Sequence, residues 1–254
     1  MVPSTVSLTA GRLIAPLIAL IAACCSISGA QAWRSAAGLA ISLIATLMWF
    51  SAEVGIACVQ GSAYGDEQRF PLKPPNSFYV PMTVTWAAAA GLGTWGLVNV
   101  GDRDSVVGGA ALVLSCAAGW MVGPRFHQLS RRWVVIVPVG VVIHDPVLLA
   151  ENALFRGSQL ASLHLAAPGS QAADLSGGAL GTRLEVVLHE MDTITKAGTR
   201  KAPQGTALHV LSVLVSPSRP GRVLRAAAAR RLPVLAAAAQ APDEPASPSD
   251  FSGA

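Results

Sequence analysis

Charge is scarce in this 254-residue chain: Asp, Glu, Lys and Arg together make up 13 %, against about 25 % in an ordinary soluble protein. Hydrophobic residues reach 52 %, and the mean hydropathy is +0.50. So little charge argues against a wholly soluble protein and for membrane-spanning segments. Cysteine is also sparse. Cys24, Cys25, Cys58 and Cys116 all lie in apolar segments and none falls in the second half. That pattern implies neither a disulfide framework nor a cysteine metal site. The phosphate-binding signature GxxxxGK[ST], the metalloprotease HExxH and the nucleophile elbow GxSxG are all missing, which argues against P-loop nucleotide hydrolysis, zinc-protease and α/β-hydrolase chemistry. Lysine is rare beside arginine, 3 against 15. This looks like the coding bias of a GC-rich genome and carries no functional weight.

What the first half does have is length in its apolar runs. Leu13–Ala30, Ser35–Val59, Val80–Val100 and Ser105–Gly123 are each about as long as a hydrocarbon core requires, roughly 20 residues. Helix is the form expected, because backbone groups inside lipid must be satisfied within the segment. These runs predict a membrane domain over residues 1–123, with helices at about 13–30, 36–59, 80–100 and 105–123. The first run has a second reading. Arg12, the apolar stretch and "AQA" at Ala30–Ala32 resemble a signal peptide, and "IAAC" at Ile21–Cys24 resembles a lipoprotein cleavage box. A retained helix is the reading taken, since a second span follows at once.

The charge that exists is uneven. Residues 1–123 are neutral, with five bases and five acids. Residues 124–231 carry thirteen bases and six acids, net +7, and the last 23 residues add three acids. The densest basic cluster beside any span is Arg125, Arg131 and Arg132. The positive-inside rule puts that membrane-flanking cluster in the cytoplasm. Four crossings then place Arg12 and the Gln60–Tyr79 loop inside as well. Glu53 is the one acid within an expected span. An intramembrane carboxylate is a candidate functional site, but Glu53 lies only seven residues from Gln60, so reaching headgroups or water is the reading preferred.

"RRWVVIVPVGVVIHDP" (Arg131–Pro146) follows the fourth run. Its uncharged stretch Trp133–Ile143 rises only about 16 Å as a helix, half a membrane. Val and Ile favour strands, and "PVG" at its centre punctuates it as a turn. A β-hairpin is expected, with Trp133–Val137 out and Val141–His144 back. Further strands are expected at Gln159–Ala166, Arg183–Glu190 and Thr206–Val215. In Arg183–Glu190, Leu184, Val186 and Leu188 face inward and Glu185 and His189 outward. "SPSRPGRVLRAAAARR" reads as a helix, with Ser218 as cap and Pro220 in the first turn. Residues 232–254 read as a disordered tail.

Several strands closed by one helix behind a membrane hairpin resemble the bacterial pleckstrin-homology-like (PH-like) domain of small membrane proteins, over Arg125–Arg231. The layout also resembles a group of actinobacterial integral membrane proteins. The fold expected is thus four transmembrane helices followed by a small α+β domain, an antiparallel sheet or barrel with one C-terminal helix. The resemblance implies a binding module and carries over no ligand residue.

The remaining motifs are weak. "LSGGALG" (Leu175–Gly181) resembles an ABC-ATPase signature loop but lacks its phosphate-binding partner, and reads as a turn. "HEMD" (His189–Asp192) and "HD" (His144–Asp145) are poorly spaced for metal. Arg219, Arg222 and Arg225 recur every three residues, on one helical face. They are the candidate contacts for lipid headgroups or a partner. No catalytic residue, metal or cofactor is expected. The function expected is non-enzymatic: a cell-membrane scaffold, recruiter or lipid sensor with its soluble domain in the cytoplasm. An accessory subunit of a transport or envelope-assembly complex is the alternative. The partners expected are membrane lipids, anionic ones included, and a protein in the membrane, not nucleic acid.

Overall fold

The computed structural model describes residues 3–27, 31–198 and 203–235. Its first helices are α1, Thr5–Ile27, and α2, Ala32–Phe50. The second apolar run does not continue to Val59. Ser51 is extended, with ψ 149°, and its hydroxyl accepts from the Val54 amide, so it caps a separate short helix, α3, Ala52–Gln60. Two long helices follow, α4 (Asn76–Gly101) and α5 (Ser105–Ser130). The carboxylate of Asp104 accepts from Val107 and starts α5. Glycines let α4 and α5 approach closely. A Cβ at Gly108 would stand 2.6 Å from the Val100 side chain, and the Ser115 hydroxyl donates to the Ala89 carbonyl at 2.8 Å. Three of the helices, α1, α2 and α5, are long and apolar enough to cross a membrane.

Helix α5 runs through Pro124 to Ser130, past the expected end of the fourth helix at about residue 123. Strands β2 (Trp133–Val137) and β3 (Gly140–His144) then form the predicted hairpin. The turn is Pro138–Val139, and Gly140 pairs with Val137. Gly140 has φ +153°, and a Cβ there would lie 2.1 Å from the Phe155 carbonyl oxygen. Only glycine fits that approach.

The hairpin is the middle of a four-stranded antiparallel sheet, β1-β2-β3-β4, with β4 at Ala153–Arg156. Its first strand was not anticipated: β1 is Gln68–Pro71, from the loop between α3 and α4. The second sheet has the order β5-β7-β8-β6. Its strands are β5 (Leu160–Leu165), β6 (Ala173–Asp174), β7 (Leu184–Lys196) and β8 (Thr206–Val215). The short β6 runs parallel to β8; the other pairs are antiparallel. Helix α6, Pro220–Ala229, closes the module with Val223, Ala226 and Ala227 buried. Its cap residue is Arg219 rather than Ser218, whose amide instead donates to the Pro71 carbonyl.

One core joins both sheets and α6 through Val134, Ile136, Phe155, Leu163, Val213 and Val223. Phe70 and Leu72, from the loop after α3, belong to it. The opposite face of the first sheet is covered as well. There Trp133 and Val135 pack against Leu8 of α1 and Cys58 and Val59 of α3. This double burial explains the unbroken apolar run "WVVIV", since a strand covered on both faces has no solvent side to make polar. The chain stays paired with the sheet past Leu232, where the expected tail begins. The Leu163 amide donates to Pro233 O, and the Leu235 amide to Leu163 O; residues 236–254 lie outside the described residues.

Candidate functional site

The break at Ser51 takes Glu53 out of the apolar span and puts it in the first turn of α3, with its side chain 49 % exposed. There it meets α6. Glu53 Oε2 lies 2.7 Å from Arg222 Nη1, and Oε1 lies 3.3 Å from Arg219 Nε. Glu53 therefore has two charged partners, one at the cap and one in the first turn of α6. Arg219 lies 166 residues away in sequence and Arg222 three further, a separation at which local spacing carries no signal. Arg225 shares the same shallow surface, which Ser218, Pro220 and Gly221 complete. All three arginines are exposed. Among the described residues a single carboxylate thus sits among three cations, and the face is basic. Exposed pairs of this kind contribute about 0–1 kcal/mol each, so they do little to hold the fold together.

The membrane-flanking arginines divide. Arg125 and Arg131, near the end of α5, are exposed. Arg132 turns inward and is 1 % exposed. Its guanidinium grips Asp145 with two bonds, Nε to Oδ1 at 2.8 Å and Nη2 to Oδ2 at 2.6 Å. Its third donor, Nη1, gives to the Lys73 carbonyl at 2.5 Å. Asp145 Oδ1 also accepts the amides of Val147 and Leu148. The pair therefore ties the end of α5 to the loop after β1 and to the turn after β3. Arg132 is a structural clamp, not a headgroup contact.

Sequence alternation fails at "HEMD". Val187 pairs with Ser212 and Asp192 with Val210, so extra residues of β7 bulge out between them. His189, Glu190 and Met191 are all exposed there, rather than on alternating faces. His144 stacks on Trp133, ring centroids 4.5 Å apart, and its Nδ1 lies 2.6 Å from Asn152 Oδ1. Facing an acceptor, Nδ1 carries the hydrogen and donates. Nε2 is buried with no partner among the described residues. Burial pushes the imidazole below its ordinary range, against the Asn152 bond, which works the other way. His127 touches Thr9, and His209 touches Thr193. Among the described residues no three His, Cys, Asp or Glu converge on a metal-sized site.

The glycine loop Leu175–Gly181 is a connection between β6 and β7, with positive φ at Gly177, Gly178 and Gly181. It seats the start of α4. The Asn76 amide donates to Gly177 O, and Lys73 Nζ donates to Leu180 O. No protein-family model matches the chain, and neither a curated protein nor a solved structure matches it.

Proposed function

We propose that the chain is a non-enzymatic membrane scaffold that holds a cytoplasmic PH-like β-module, with its arginine face, against the inner leaflet. Four crossings are inferred, by α1, α2, α4 and α5. Helix α4 is the least apolar, being rich in Ala, Gly and Thr. It nevertheless has no charge between Val80 and Val100, and its 26 residues span about 39 Å. It lies antiparallel along α5, and four crossings return the chain to the side on which it starts. The start of α1, the end of α2, the start of α4 and the end of α5 all adjoin the β-module, as Leu8, Trp49, Asn76 and Arg132 attest. The exposed Arg125 and Arg131 argue that this side is the cytoplasm. Two four-stranded sheets closed by a C-terminal helix support the PH-like reading. A C-terminal alkaline phosphatase fusion should be inactive in the periplasm or outside the cell, and a fluorescent-protein fusion bright. The reverse pattern would sink this orientation.

The observation that carries the functional reading is the exposed triad Arg219, Arg222 and Arg225, with Glu53 the one carboxylate among them within the described residues. Each cation held near an anionic leaflet adds about 1 kcal/mol of attraction. The test is energy transfer from a dye on Ala228→Cys, in a chain otherwise free of cysteine, to dilute headgroup-labelled lipids in nanodiscs. Transfer to the anionic lipid should exceed transfer to the neutral one. The excess should fade in high salt and vanish when all three arginines become glutamine. Glu53→Gln, which removes the competing carboxylate, should enlarge it. Equal transfer to both lipids would leave the stripe as a protein-docking or merely solvated face. The alternative, an accessory subunit of a membrane complex, draws on Gly109, Gly119 and Gly123 of α5. A Cβ at any of them would meet nothing within 4 Å, which leaves room for a neighbouring helix. A stoichiometric membrane partner retained in mild detergent would favour it.

A further inference from the structure

Arg12 has work to do that the scaffold reading does not use. It is half-buried at the end of α1 nearest the β-module. Its Nε donates to the Trp49 carbonyl at 3.1 Å, and its guanidinium carbon lies 5.7 Å from the Phe50 ring centroid. Every ion pair among the described residues is made by other groups, so Arg12 has no carboxylate. A half-buried cation without an anion is costly in a medium of low dielectric. This one lines a cleft of about 360 Å³ between α1, α2, α4 and α5, roofed by Leu72 and Pro74. Such a volume is within the usual range for small-molecule sites, about 300–1,000 Å³.

The rest of the lining says what kind of anion fits. The rest of the wall is mostly apolar, with Leu13, Met82, Trp86 and Phe126, and the hydroxyls of Thr46 and Thr83 in it are spent on their own helices. Trp86 is fixed by its indole N–H, which donates to Leu13 O at 3.2 Å. A second cleft of about 340 Å³ shares Leu13, Trp86 and Phe126 and continues down α1 to Ile21. From Arg12 to Ile21 the helix advances about 14 Å, close to half a hydrocarbon core of about 30 Å. The mouth is flanked by Phe50 and Tyr79, exposed at 55 % and 61 %. Aromatic rings at the water boundary of a membrane are expected at that depth. A cation at the boundary thus stands over an apolar slot one leaflet deep.

We propose that this cleft holds one anionic phospholipid of the leaflet beside the β-module, with its phosphate on Arg12 and one acyl chain between α1, α4 and α5. The site shares with the scaffold reading only the membrane setting; it uses none of Arg219, Arg222 or Arg225. A phosphate supplies the missing anion and the chain fills apolar volume that water would occupy at a loss.

The full chain is purified in mild detergent with equal palmitoyl-oleoyl phosphatidylglycerol and phosphatidylcholine, delipidated in steps and weighed by native mass spectrometry. One phosphatidylglycerol per chain should persist after phosphatidylcholine is gone. Arg12→Gln should lower its occupancy at least tenfold, and Arg12→Lys should keep an intermediate share. Ala118→Phe blocks the lower cleft without touching Arg12, and should also strip the lipid. It decides the matter should Arg12→Gln fail to fold. Arg222→Gln should retain the lipid in full even while it weakens energy transfer at the arginine face, which separates the two sites. Equal retention of both lipids by the native chain, or native retention by Ala118→Phe and Arg12→Gln, would overturn the proposal.

Discussion

Asp145→Ala is expected to lower the melting temperature of the protein in mild detergent by about 10 °C or more. Both side chains of the Arg132–Asp145 pair have no exposed surface. Removing one partner from a buried pair leaves the other charge unpaired, which costs about 3–5 kcal/mol. For a chain of this size each kcal/mol is about 2–4 °C. The loss has a second part. Asp145 Oδ1 also accepts the Val147 and Leu148 amides, and alanine leaves both without an acceptor. Asp145→Asn keeps an oxygen for those amides and should lie between the native chain and alanine. Arg132→Met with Asp145→Leu removes both charges at similar volume and should recover much of the loss, as buried pairs replaced together often do. Hydrogen exchange should localise the damage to the amides of β2 and β3, with the helix pair α4–α5 unaffected. A melting point within 2 °C of native for the alanine variant would show that the clamp contributes little.

What could be read from the sequence follows from how local each signal was. The β2–β3 hairpin was legible because "WVVIVPVGVVIH" carries its own strand composition and its own turn. Strand β1 was not. "QRFP" has four residues and a proline, and it is a strand only because β2 offers it a ladder: Gln68 opposite Ile136, Pro71 opposite Trp133. The break in the second apolar run had a local sign that hydropathy averages away. Ser51 followed by Glu53 is a helix start, a capping hydroxyl with an acid in the first turn. Conversely, the apolar run gives no sign that α5 continues through Pro124 to Ser130, since proline within a helix is tolerated when neighbouring groups satisfy the freed carbonyl. The site divides the same way. The arginine stripe showed in its spacing of three. Its link to Glu53, the inward turn of Arg132 and the cleft beneath Arg12 are tertiary, and no periodicity announces them.

The same tertiary linkage makes the β-module inseparable from the membrane half. Residues 124–235 expressed alone should fail to give a folded monomer. The cut removes β1, leaving the edge of β2 unpaired, and takes Phe70 and Leu72 out of the core. It also uncovers the outer face of the sheet, where Trp133 is 9 % and Val135 4 % exposed under α1 and α3. An unpaired edge beside a bare apolar face is a template for aggregation. Arg132 would lose the Lys73 carbonyl as well. Elution in the void volume and a collapsed amide spectrum are expected. Residues 61–75 joined ahead of Arg131 by a flexible linker should restore β1 and part of the amide dispersion. Solubility should still be poor, since nothing replaces Leu8, Cys58 and Val59 over the outer face. Adding Val135→Thr and Val142→Thr to that version makes the face polar on a strand-compatible side chain, and should yield a monomer. Were residues 124–235 alone to give a dispersed spectrum and a cooperative melt, the module would be a tethered domain after all. The strand contributed by the α3–α4 loop would then be an accessory to the sheet rather than part of it.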